Sequence, residues 1–160
     1  MNNTFFNKLL DTNPGWGALA LRIPVGIIFV AHGAQKLFGL FGGYGLEGTG
    51  QWLDSIGLSP GYLMALLAGG TEFLGGLALI IGLLVRPASA ALAFAMLVAI
   101  FTVHAQNGLF MSNNGYEFAL ALLAASLALL FSGDGRASVH RFATHYTRAH
   151  RHDQYFPVRR

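Results

Sequence analysis

Four long apolar stretches, each broken by a few polar positions, organise the chain. The first covers 16–41 and carries Arg22, His32, Gln35 and Lys36; the others cover 60–85, 87–105 and 116–132 and bring Glu72, His104 and Glu117. A helix rises about 1.5 Å per residue, so roughly 20 apolar residues cross a bilayer. Each stretch therefore predicts a membrane span. Within the second, Ala65, Ala68, Glu72, Gly75, Gly76 and Leu79 fall on one helical face, a strip of small residues that lets another helix come close to Glu72. Between the first two spans the sequence turns glycine-rich, and 51–56 predicts a short surface helix with Trp52 at the membrane boundary. Pro60 begins the second span, Arg86 and Pro87 make a tight connection into the third, and Asn113, Asn114 and Gly115 mark the turn before the fourth.

Composition agrees: 54% of the 160 residues are hydrophobic and 11% charged, against roughly 25% charged in soluble domains. The first apolar run is too long for a signal peptide and reads as a retained span. There are no cysteines, which excludes thiol relays, disulfide switches and thiolate metal sites. Redox chemistry would then need a bound cofactor or a redox-active substrate such as a quinone. The net charge of +3 does not point to nucleic acid, because most of the basic excess sits in the last 25 residues, as in a cytoplasmic tail flanking a membrane.

The expected architecture is all-α: an integral membrane four-helix bundle with an interfacial segment at 1–15, four spans within 16–135 and a basic cytoplasmic tail at 136–160. A short helix is expected over 136–146 and disorder from 147 on. Lys8, Arg22, Arg86 and the six arginines of the tail all belong to one side, which puts both termini in the cytoplasm. The first and third loops then face outward.

With that topology, Lys36, His104 and Glu117 lie near the outer boundary, His32 one turn below Lys36 on the same face, and Glu72 deepest. The pattern predicts a polar pocket open to the outside. His32 and Glu72 are the candidates for proton transfer, with Gln35, Lys36, His104 and Glu117 around the substrate. Ionisable side chains inside a membrane are expensive and functional by default. The plainer alternatives are snorkelling for Lys36 and Glu117, a structural role for His104, and a structural clamp joining Glu72 to His32 or Lys36. Arg22 is expected to hold a lipid phosphate or a loop carbonyl at the inner end. Two His and two Glu without a spaced metal motif do not make a metal site, and the tail histidines read as solvated.

The ordered series Leu21-Arg22, the run from His32 through Gly33, Ala34, Gln35 and Lys36 to Gly39, then Thr71-Glu72-Phe73-Leu74-Gly75-Gly76, Gly82 through Arg86, Pro87 and Ala88, and Val98-Ala99-Ile100 leading to His104 resembles the DoxX family over 16–141. The resemblance implies a multi-pass four-helix protein of the bacterial inner membrane. It also implies that Arg22, Gln35, Lys36, Glu72 and Arg86 stand at recurrent polar positions. Some relatives are described as a small subunit of a thiosulfate:quinone oxidoreductase or as part of a membrane oxidoreductase complex, and most have no assigned activity. The expectation is a membrane redox component whose pocket faces the periplasm and takes a quinone or small oxyanion. Its partners would be the bilayer, a redox subunit and further copies of itself. A noncatalytic scaffold or small-solute permeation protein is the alternative.

Overall fold

The computed structural model describes residues 14–133. The segments at 1–13 and 134–160, with the interfacial lead-in and basic tail expected there, lie outside the described residues. Helix α1 (Pro14–Phe38), the short α2 (Gly45–Ser55), α3 (Gly61–Ile81), α4 (Val85–Ala99) and α5 (Glu117–Ser132) follow in order, and no strand occurs among the described residues. After α4 the helix continues through a widened turn, Ile100–His104, and a tightened one, Ala105–Asn107. Among the described residues, three helical segments are long and apolar enough to cross a membrane: Trp16–Phe38, Gly61–Ile81 and Val85–Asn107. The expected fourth span, α5, is also apolar but has only 16 residues.

The chain is an all-α membrane protein in which α1 packs on α3, α3 on α4, and α5 on α4 and α1. Its centre is apolar: Phe29, Leu79, Leu92 and Leu129 are fully buried, joined by Val25, Val85 and Met96. The opposite faces display Leu66, Leu74, Phe94, Phe101 and Phe131, the outward-apolar pattern of helices solvated by lipid. In that solvent helices associate through close backbone packing. A Cβ on Gly26 would sit 2.8 Å from the Gly76 carbonyl oxygen, and one on Gly33 would sit 2.7 Å from that of Gly69. The pattern of small residues thus fixes α1 against α3 in antiparallel register.

Several boundaries differ from the sequence expectation for physical reasons. The second long helix stops at Ile81 rather than Val85 because Gly82 takes the left-handed conformation, φ 72°, that ends helices. Arg86 and Pro87 consequently belong to the first turn of α4, where a missing proline N–H costs nothing. Pro60 precedes α3 instead of opening it. There Asp54 Oδ1 accepts bonds from the Gly61 amide at 2.8 Å and the Ser59 hydroxyl at 2.7 Å. The Ser59 and Gly61 bonds stabilise the carboxylate and hold Asp54 below its ordinary pKa. The surface helix expected at 51–56 begins earlier, at Gly45. Arg22, expected to hold a lipid phosphate or a loop carbonyl, is buried, 2% exposed, with its guanidinium packed against Gly82 at the turn after α3.

Candidate functional site

Helices α1 and α3 build the site between them. Gly26 faces Gly76 and Ile80, while Gly33 faces Gly69 and Phe73. This register places His32 opposite Glu72, with Lys36 one turn further toward the end where α2 lies. From there Lys36 reaches back, and its Nζ donates to Glu72 Oε2 at 2.6 Å. The side chain of Lys36 is 29% exposed and that of Glu72 is 7% exposed. The pair therefore has a partly open end and a closed end. His32 is half-buried beside it, within electrostatic reach of both charges, and its ring lies 5.8 Å from that of Phe118 on α5.

The other candidates are engaged elsewhere. Gln35 Nε2 donates to the Phe41 carbonyl at 3.1 Å, holding the turn Leu40–Gly42 in which Phe41 adopts φ 53°. Glu117 Oε1 accepts from the Met111 amide at 2.6 Å, and His104 Nδ1 lies 2.8 Å from the Asn114 carbonyl oxygen. Both of these secure the connection between α4 and α5. The six candidates thus divide into a cluster of three, His32, Lys36 and Glu72, and three residues bonded to loop backbone.

Thr49, absent from the sequence candidates, donates its hydroxyl to the Lys36 carbonyl at 3.5 Å, tying α2 to the end of α1. Phe118 was likewise unforeseen as the neighbour of His32. Nothing in the periodicity of either residue singles it out. A shallow apolar groove between α3 and α4 is lined by Leu66, Leu67, Gly70, Thr71, Leu74, Gly75 and Ala91 and does not include Glu72. Its walls carry no titratable group. Among the described residues, no three His, Asp or Glu side chains gather as a metal site requires.

A carboxylate, an ammonium and an imidazole so placed offer one positive charge that can be presented to an anion or carbonyl oxygen. They also offer two groups able to carry a proton. The same arrangement could serve only to neutralise charge within the membrane.

Residues 17–105 match the family model described as DoxX. A Bacillus subtilis (strain 168) protein named "Putative oxidoreductase CatD" is 37% identical over 113 residues, 71% of this chain and 78% of that protein. An "Uncharacterized protein" of Haemophilus influenzae (strain ATCC 51907 / DSM 11121 / KW20 / Rd) is 33% identical over 126 residues, covering 74% and 84%. No solved structure matches significantly.

Proposed function

The chain belongs to the DoxX family, and we propose that it is a redox component of the bacterial inner membrane whose Lys36, His32 and Glu72 recognise a quinone or a small oxyanion. The observation that carries this reading is the 2.6 Å bond between Lys36 and Glu72. It places an ion pair within helices otherwise solvated by lipid, where charge is costly and retained for a purpose. The name of the Bacillus relative supports the redox class.

In this reading Lys36 turns from Glu72 to an oxygen of the substrate, while Glu72 and His32 exchange protons with it. Reduction of a quinone takes two electrons and two protons. The chain has no cysteine to relay the electrons, so a partner subunit would supply them. The site would face the periplasm, the side to which the less basic loops belong.

The same bond also favours a second reading, a noncatalytic scaffold in which Lys36 and Glu72 already satisfy one another. Permeation finds less support, because Phe29, Leu79, Leu92 and Leu129 close the centre with no exposed surface.

The test is binding of a short-chain quinone, and separately of thiosulfate, to the full chain in proteoliposomes. Lys36→Met alone would strand Glu72, so the informative variant joins it to Glu72→Gln. With folding retained, binding of the recognised ligand should fall tenfold or more, about 1.4 kcal/mol. Lys36→Arg should keep part of it, since charge survives while donor geometry changes. Unchanged binding in the double variant, or no binding by wild type, favours the scaffold.

A further inference from the structure

The connection 108–116 between α4 and α5 is rigidly bonded yet presents an apolar tip. Its amides at Gly115, Tyr116 and Glu117 donate to the carbonyls of Phe110 at 3.0 Å, Gly108 at 3.1 Å and Leu109 at 2.9 Å. The Met111 amide donates to Glu117 Oε1, and the Asn114 carbonyl accepts from Asn107 Nδ2 at 3.2 Å and lies beside His104 Nδ1. These bonds, with those from the Asn113 and Asn114 amides to the Phe110 and Met111 carbonyls, engage the carbonyls of 108–111 and the Met111 amide, and the side chains displayed at the tip are Leu109, Phe110 and Met111, which are 41%, 62% and 57% exposed. The polar residues Ser112, Asn113 and Asn114 follow directly and are exposed as well. In water an ordered loop gains nothing by holding three large apolar side chains outward. At membrane depth the logic reverses: non-helical backbone is tolerated when its polar groups are satisfied by the protein.

Length supplies the second argument. The span Val85–Asn107 has 23 residues, about 35 Å of helix, whereas α5 has 16, about 24 Å, against a hydrocarbon layer of about 30 Å. If α5 is the fourth span, its chain must cover the remaining depth in some other conformation. The bonds from Asn107 and His104 to Asn114 hold the connection beside the last turns of the longer helix. Phe101, in the widened turn after α4, and Leu120, one turn into α5, are likewise exposed apolar residues.

We propose that 109–111 is a lipid wedge: Leu109, Phe110 and Met111 insert among the acyl chains of the leaflet at that end, with 112–114 at headgroup level. The wedge completes the membrane crossing that α5 is too short to make alone. The occupant of this surface is therefore lipid rather than a protein partner. It also gives His104 and Glu117 a task, since their bonds hold the loop backbone in that setting. The proposal does not depend on any ligand at Lys36.

The chain contains no cysteine, so single cysteines can be introduced and spin-labelled without background. Phe110→Cys, Asn113→Cys and Phe101→Cys would each carry a nitroxide in the full chain, reconstituted in phosphatidylcholine–phosphatidylglycerol vesicles. Collisional relaxation by oxygen, which concentrates in lipid, is compared with that by a water-soluble nickel chelate. The expected result is oxygen preference at 110 and at the lipid reference 101, with nickel preference at 113. Nickel preference at 110, with 101 still in lipid, would overturn the wedge. Shielding of 110 from both reagents would also overturn it, by showing that protein covers the tip.

Discussion

At the scale of single residues, the unequal burial of Lys36 and Glu72 makes their substitutions unequal. Lys36 keeps a partly exposed side chain, 29%, while Glu72 is 7% exposed. Lys36→Met therefore leaves a carboxylate stranded in the closed part of the site, which costs about 3 kcal/mol or more. Glu72→Ala strands an ammonium that can still extend toward solvent along its flexible stem, and Glu72→Gln retains hydrogen-bonding atoms. Thermal melting in detergent should rank Lys36→Met as least stable and Glu72→Gln as nearest wild type. Joining Lys36→Met to Glu72→Gln should recover much of the loss, because neither a charge nor its partner then remains. Equal melting of wild type and all four variants would mean that the bond contributes nothing to the fold. The spacing of His32 and Lys36 along one face already implied that both could meet Glu72, and it left open which one would bond to it. Reach decides this: the long lysine stem covers the extra turn, whereas the imidazole stays beside the pair. Glu117, expected beside the substrate or snorkelling at the boundary, was not legible as a loop anchor. An acidic residue opening a helix beside loop amides is a capping arrangement, and the structure gives it a loop amide, Met111 N.

Among elements, the contact between α1 and α3 depends on the absence of particular side chains. A Cβ on Gly33 would meet the Phe73 amide at 2.5 Å and the Gly69 carbonyl at 2.7 Å, and backbone cannot move aside as a side chain can. On the same pair of helices, a Cβ on Gly70 would meet nothing within 4 Å. Gly33→Ala should accordingly destabilise by about 1–3 kcal/mol through overpacking, while Gly70→Ala should be neutral or slightly favourable because alanine prefers helix. The measurement is the urea or thermal midpoint of each variant in the same detergent, and similar losses at both positions would contradict a backbone-limited contact. That small residues line the face of Glu72 could be read from the sequence, because helical periodicity alone gathers them. The register against α1 could not, since it depends on which glycines meet. Helix ends were harder still. The stop at Gly82 depends on its left-handed backbone, and the shortness of α5 depends on a loop whose bonds join residues up to ten positions apart.

Across the whole molecule, the two ends differ in net charge by more than the residue types indicate. Among the described residues the cations are Arg22, Lys36 and Arg86. Arg22 packs at the turn after α3, and Arg86 stands in the first turn of α4, so both belong to one end. The opposite end has only Lys36, whose charge is balanced by Glu72 at 2.6 Å. Glu47 and Asp54 on α2 and Glu117 at the start of α5 leave that end acidic. Loops with excess Lys and Arg stay in the cytoplasm while others are translocated. The end bearing Arg22 and Arg86 is thus expected inside, together with both termini, and the Lys36 site outside. A reporter active only in the cytoplasm should work when fused after Arg160, and one active only in the periplasm should work when inserted at Asn113, in the wedge-bearing loop. Introducing two lysines near Glu47 should weaken this preference, because it opposes the asymmetry without touching the helices. Periplasmic activity from the fusion after Arg160 would reverse the orientation. The site would then draw its protons and substrate from the cytoplasm.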